Sequence, residues 1–454
     1  MNIKQRKCLI KITASSFVAS LGISGFAQQR PNIILIMTDQ QIADAMSNRG
    51  NPYVETPAMD MLANDGVTFT QAYCSFPVSG PSRASIMTGK MPHELNIFNN
   101  DQALSDTEKK NTIGIKMSEA GYDCLYAGKW HVPTIHIPDG EFGFRNVANM
   151  NDMELVEKVR PELEKKKENP LFLVASFLNP HEICEYARSQ SLHYGEINIP
   201  KSAQRPPLPQ NHVIADDFSE ALLLHKDLNP KWYPTRNYTT NDWQNYLYAY
   251  YRLVERVDSV IRDLILALKE NELYDNSLII FTSDHGEGVA AHGWNQKLSL
   301  IEEVVNVPLI IKPPKKHPLT EEKVNTETLV NIGLDIYPTI CDYGNTKPAE
   351  ELNGISLRKV VRGETQTTHE TVFIETFLDG IDLRAWCAIG KDYKYSFYRY
   401  YKHKEQLFEL NNDKGETRNL VNEPGYENIR LDMREKLRNY ALLVNDKMLL
   451  KELK

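Results

Sequence analysis

The sequence predicts an α/β fold: a large mixed, mostly parallel sheet sandwiched by helices, with a small C-terminal α+β subdomain of antiparallel sheet plus helix. Short apolar runs at 33–37, 124–127, 171–177, 278–282 and 308–311 read as strands buried on both faces. Helical patterns lie between them, and strands alternating with helices build a parallel sheet covered on both sides. From about residue 371 the texture changes to aromatic strand-like segments, 393–401 and 406–410, and a last helix over 426–444.

Taken in chain order, the elements come from local signals. Lys4, Arg6, Lys7 and Lys11 precede a small, apolar stretch at 12–26, and Gly25-Phe26-Ala27 forms a small-x-Ala cleavage site before Gln28. Residues 1–27 are therefore expected to be a signal peptide, 28–370 a catalytic domain and 371–454 a C-terminal subdomain. No lipobox precedes Cys8. Thr56-Pro57 caps and opens a helix that Gly66 closes. The clearest helix spans 246–270, where Leu247, Tyr250, Val254, Val257, Ile261, Leu264 and Leu268 recur every three or four positions. Residues 183–243 are polar and proline-rich, like a long loop or insertion near the site. Lys391, Lys394, Arg399, Lys402 and Lys404 alternate with tyrosines and read as a solvated antiparallel edge in preference to a glycan-binding face.

Bulk properties narrow the function. The 454 residues suffice for a large core, and they are 41% hydrophobic and 25% charged. Mean hydropathy is -0.45, and no internal apolar run is long enough to span a bilayer. A net charge of -8 disfavours a general nucleic-acid binder, so an anionic substrate needs a local cluster of cations. After export five cysteines remain, Cys74, Cys124, Cys184, Cys341 and Cys387, with no CxxC pair. They support neither a disulfide framework nor a cysteine-rich zinc site, and a single bridge stays open.

The residues just past each strand are more telling. The run ending at Met37 leads into Thr38-Asp39-Gln40, and that ending at Ala127 into Gly128-Lys129-Trp130-His131. Phe177 is followed by Asn179-Pro180-His181, and Thr282 by Ser283-Asp284-His285-Gly286. In open α/β sheets ligands bind at the carboxyl ends of the strands. Separate strands thus deliver acids, an amide, histidines and a lysine to one edge. Ser79-Gly80-Pro81-Ser82-Arg83 adds a serine on a tight turn before a helix, whose N-terminal amides suit an anion and whose Arg83 could clamp one.

The SGPSR stretch resembles the S/C-x-P-S-R signature of the sulfatases of the alkaline phosphatase superfamily, in which the first residue is oxidised to formylglycine. Asp284-His285-Gly286-Glu287, then His292-Gly293 and Lys297, is similar to the family's second block. Pro31-Asn32-Ile33 and Glu416-Thr417-Arg418-Asn419-Leu420 extend the likeness over the mature chain. The resemblance implies an alkaline phosphatase-like fold and sulfate-ester hydrolysis, with sulfated carbohydrate as the expected substrate. It places formylglycine at Ser79, formed by a radical-SAM sulfatase-maturating enzyme. It makes Asp39, Gln40, Ser79, Asp284 and His285 metal ligands, and Arg83, Lys129, His131, His181 and Lys297 catalytic.

Carboxylate and amide oxygens suit calcium, while His285 leaves manganese or zinc open. The implied mechanism is attack on sulfur by a hydrated formylglycine, with Asp284 as proton acceptor and Arg83, Lys129 and Lys297 offsetting charge. His181, with Lys297, stabilises or protonates the leaving oxygen, and His131 takes the proton whose loss releases sulfate. His93, just past the nucleophile helix, is a candidate substrate contact. Asp39-Gln40 also resembles choline sulfatases and phosphonate monoester or phosphodiester hydrolases, which stand as alternatives. A non-catalytic sulfoglycan-binding protein is the third. Localisation is expected to be periplasmic.

Overall fold

The computed structural model describes residues 30–166, 168–201, 204–364, 368–378 and 383–454, so the expected signal peptide at 1–27 lies outside the described residues. Ten strands build the main body. They are β1 (Asn32–Asp39), β2 (Val67–Phe69), β3 (Ala72–Tyr73), β4 (Asp123–Gly128), β5 (Arg145–Ala148), β6 (Leu171–Pro180), β7 (Ser277–Ser283), β8 (Leu309–Lys312), β9 (Val324–Asn325) and β10 (Val330–Asn331). Eight of them form one sheet in the order β5-β4-β6-β1-β7-β8-β2-β9. β1 lies at its centre, parallel to both neighbours, with Leu35 opposite Val174 and Ile280. Within that sheet only β8 runs against its neighbours, β7 and β2, which makes it mixed but mostly parallel.

The alternation of side chains along a strand explains why the apolar runs are unbroken. Ile33, Leu35 and Met37 enter one core with the helices Ser79–Thr88 and Ile332–Tyr343. Ile34 and Ile36 enter the other, against Pro57–Asp65, Asp152–Glu164 and the long helix Thr240–Glu270. That long helix starts six residues before the expected position. Its start is a capping box: the Thr239 hydroxyl accepts from Asp242 N at 3.3 Å, and the Asp242 carboxylate accepts from Thr239 N at 2.9 Å.

Two expectations need correction. Thr56 stands at the N-cap of Pro57–Asp65 but makes no capping bond. Asp258 of the long helix reaches over instead and accepts from Ala58 N at 3.1 Å and Met59 N at 3.0 Å. The expected long loop at 183–243 contains the helices Ile183–Ala187 and Glu220–Leu228, and its last residues belong to the long helix. Ile183, Cys184, Ala187, Ala221 and Leu222 are buried there, faces too short to show through the proline-rich composition.

Beyond Thr371 comes a four-stranded antiparallel sheet: β11 (Thr371–Leu378), β12 (Leu383–Gly390), β13 (Tyr393–Tyr398) and β14 (Glu405–Glu409). Leu383, Ala385, Cys387 and Ile389 of β12 join the core of the main body. Trp386 and Ala388 face the other way, onto the helix Glu427–Leu443. A second helix, Lys447–Glu452, comes after that one. Lys394 is not a solvated edge residue: it is fully buried, 3.1 Å from Glu302 and 2.7 Å from Glu416. The pairing is a bond between β13 and the short helix Glu302–Val305 of the main body. Cys74, Cys124, Cys184, Cys341 and Cys387 are all free and buried. Among the described residues, no helix is long and apolar enough to cross a membrane.

Removing one partner of a buried ion cluster strands the others in low dielectric. Lys394→Ala is therefore expected to cost about 3–5 kcal/mol, read from urea unfolding. Lys391→Ala, which removes only an exposed pair with Glu327, should leave the midpoint where it is.

Candidate active site

β4, β6, β1 and β7 are adjacent and parallel, so their carboxyl ends share one edge. Asp39 ends β1, Lys129 follows β4, His181 follows β6, and Asp284 follows β7. Gly128 lets β4 close on β6: its φ is +100°, and a Cβ there would lie 1.8 Å from the Ser176 carbonyl oxygen. Ser79 is the first residue of its helix and is fully buried. Its Oγ lies 3.1 Å from His285 Nε2. Gly80 N, beside it, donates to Asn100 Oδ1 at 2.8 Å.

Arg83, one turn on, organises the acids. Its Nε donates to Asp284 Oδ2 at 2.7 Å and its Nη2 to Asp39 Oδ2 at 2.9 Å. Its Nη1 donates to the Lys129 carbonyl at 2.8 Å and Ser176 Oγ at 2.7 Å. Arg83 thus uses four of its five N–H groups on the protein's own acceptors and works as a buried tie. Lys129 Nζ completes the arrangement at 2.7 Å from Asp39 Oδ2.

Asp39, Asp284 and His285 each offer a ligand atom within 4.8 Å of the others. Asp39 Oδ1 is buried with no hydrogen-bond partner, an exception that calls for a cation. His285 Nδ1 lies 2.8 Å from the Gly286 carbonyl, so it donates there and leaves the Nε2 lone pair free. Asp284 Oδ1 accepts from Gln40 N at 3.1 Å and His285 N at 2.9 Å. This donor set fits a divalent cation. Gln40 reaches the same edge through a left-handed backbone, φ 70°, and its side chain contacts Glu287 and Cys184.

Burial opposes ionisation of Asp39, yet the charges of Lys129 and Arg83 hold it well below the usual carboxylate range. Burial, aided by the Lys129 charge, pushes His131 down to about 2 and His181 well below its ordinary value. Both imidazoles therefore rest neutral. His131 Nδ1 is buried with no hydrogen-bond partner.

Lys297 lies at the edge of a 250 Å³ cavity that Val78, Phe98, Asn100, Trp232 and Phe377 help to line. Trp232 comes from the proline-rich stretch expected near the site. His93 stands apart from the Ser79 cluster. Its Nδ1 is 3.2 Å from Arg384 Nη2, and its backbone N–H donates to Glu375 Oε2 at 3.0 Å. Its ring packs 6.4 Å from Phe98, so it supports the cavity wall from behind. With Glu375 and Asp446 it forms a second group of metal-ligand type, but Arg384, 3.2 Å from Asp446, already supplies the cation. Sequence reasoning missed Ser176, Glu287 and the aromatic walls. Ser176 showed only as a polar residue inside the apolar run of β6, and Glu287 as the last residue of the Asp284-His285-Gly286-Glu287 block with no role given to it.

Residues 31–346 match the family model described as Sulfatase, and residues 290–442 one described as N-sulphoglucosamine sulphohydrolase, C-terminal. The chain is 27% identical to a Delta 4,5-hexuronate-2-O-sulfatase of Bacteroides thetaiotaomicron, over 94% of this chain and 92% of that one. It is 25% identical to an N-acetylglucosamine-6-O-sulfatase of the same organism, over 79% and 76%. A solved 2-O GAG sulfatase superposes with a TM-score of 0.81 at 26% identity, covering 92% of this chain and 94% of the other. A phosphonate monoester hydrolase of Agrobacterium radiobacter gives 0.74 at 20% identity, covering 91% and 96%, a likeness of fold alone. The match to the Sulfatase model runs through all four strand ends and the Ser79 helix, and the chain belongs to the sulfatase family of the alkaline phosphatase superfamily, as a sulfuric ester hydrolase.

Proposed function

We propose that this hydrolase is exported to the periplasm and removes sulfate from carbohydrates of glycosaminoglycan or mucin type. Its nucleophile is a formylglycine that a radical-SAM maturating enzyme makes from Ser79, working beside calcium. The observation that carries the reading is the Ser79 hydroxyl 3.1 Å from His285 Nε2, at an acid cluster whose Asp39 Oδ1 is buried and unpaired. The basic-then-apolar residues 1–27 support export. The sulfated-sugar names of the two curated relatives support the substrate class. So do Trp232, Phe98 and Phe377, because aromatic walls suit the apolar face of a sugar ring.

Asp39, Gln40, Asp284 and His285 would hold the cation together with residue 79. Oxygen donors favour calcium, with manganese or zinc second because of His285. When bound, the cation offsets negative charge on the sulfuryl oxygens and eases deprotonation of an oxygen beside it. A hydrated formylglycine supplies one oxygen to attack sulfur and a second hydroxyl whose deprotonation expels sulfate, which serine lacks. Lys129 and Lys297 add positive charge at the rim of the site. Neutral His181 retains an N–H to stabilise the leaving oxygen. His131, neutral with a free Nδ1, accepts the proton in the release step. Asp284 already accepts from Gln40, His285 and Arg83, which suits a fixed ligand better than the proton acceptor anticipated for it.

Co-expression with a maturase should convert residue 79 with the loss of a pair of hydrogens, seen by mass spectrometry of its peptide. Ser79→Ala should release no sulfate. Turnover by fully unconverted protein would sink the formylglycine reading. Lys297→Ala is expected to lower kcat/KM for sulfate release by about 10²-fold, measured on monosulfated mono- and disaccharides. A strong preference for an aryl phosphonate over the matched aryl sulfate would overturn the sulfatase assignment in favour of the phosphonate hydrolases. Chelation should abolish activity and added calcium restore it.

A further inference from the structure

Glu287 is fully buried, two residues past His285, and the proposed chemistry gives it no task. Its carboxylate nevertheless accepts three hydrogen bonds. Oε1 takes the Tyr246 hydroxyl at 2.7 Å and the Gln296 N–H at 2.5 Å, and Oε2 takes the amide nitrogen of Gln40. Resting on the proposed cation site, we infer that Glu287 is a positioning residue that decides which end of the Gln40 carboxamide is presented to the cation.

Donor and acceptor inventory leads to this role. A carboxamide has one acceptor oxygen and one donor nitrogen, nearly equal in shape, and only the oxygen can bind a hard cation. The trunk of Gln40 is immobile: its N–H donates to Asp284 Oδ1 at 3.1 Å, and its carbonyl accepts from the Tyr250 hydroxyl at 2.9 Å. What remains free is the flip of the amide. The Cys184 sulfur lies 3.4 Å from the amide nitrogen and 3.6 Å from the oxygen, and so does not choose. A carboxylate does choose, because it only accepts. It draws the nitrogen to itself and leaves the oxygen for the metal. The two further donors keep Glu287 from rotating away and satisfy a charge that would otherwise be costly to bury.

The same carboxylate holds a second part of the site. Gln296 adopts φ 75° and precedes Lys297, and its N–H is the one bound to Glu287. The cation site and the Lys297 turn are thus fastened to one side chain, which Tyr246 anchors to the long helix.

The test is calcium affinity by titration calorimetry on the full chain with Ser79 unconverted, which removes turnover from the readout. Glu287→Gln keeps the shape but lets residue 287 donate to the Gln40 oxygen and turn the amide round. It is expected to weaken calcium binding by about 10–100-fold. The exchanged pair, Gln40→Glu with Glu287→Gln, puts a carboxylate oxygen back on the metal side and should recover the affinity. General damage to packing would weaken both proteins alike. Unchanged affinity in Glu287→Gln, or an exchanged pair no tighter than the single variant, overturns the inference while the cation site stands. A wild-type chain that binds no calcium overturns both.

Discussion

Asp39 and Asp284 stand side by side without solvent, and a lone pair of buried carboxylates would repel each other and protonate. What makes the arrangement stable is the Arg83 guanidinium placed between them, with Lys129 on the same Oδ2 of Asp39. Because Arg83 lies one helical turn after Ser79, the same interaction ties the start of the Ser79 helix to the sheet edge. Position, charge and metal-binding capacity all descend from that tie. Of the four carboxylate oxygens only Asp39 Oδ1 is left without a partner.

The sheet supplies the edge on which this happens. Four adjacent parallel strands end at the same level, and each stops within a residue or two of a group with chemistry to offer. This much was readable in the sequence, since strands buried on both faces leave long apolar runs and the polar residues after them mark the ends. The two lysines, three histidines and two acids at 39, 129, 131, 181, 284, 285 and 297 could be collected from that pattern and from the family motifs without coordinates. The neutral state of His131 and His181 could not, because it depends on burial beside Lys129.

Other failures share a cause. Lys394 looks like a surface residue in a run of alternating cations and tyrosines, but its partners Glu302 and Glu416 lie far away in sequence. Asp258 caps a helix some two hundred positions upstream, so the local Thr56 signal found the right place and the wrong side chain. Arg83 is tied to Asp284, Lys129 and Asp39 at three other strand ends, partners that its neighbours in sequence do not reveal. Spacing along one chain reports local geometry well and says little about which remote charge closes a circuit.

The Lys394 cluster also has a consequence for synthesis. Glu302, close after the Lys297 turn, is made well before β13 exists, and the chain emerges from its N-terminus. Until Lys394 arrives, Glu302 lacks the cation that pairs with it in the folded chain. The sheet of β11–β14 is thereby riveted to the main body by a charge that neither side would bury alone.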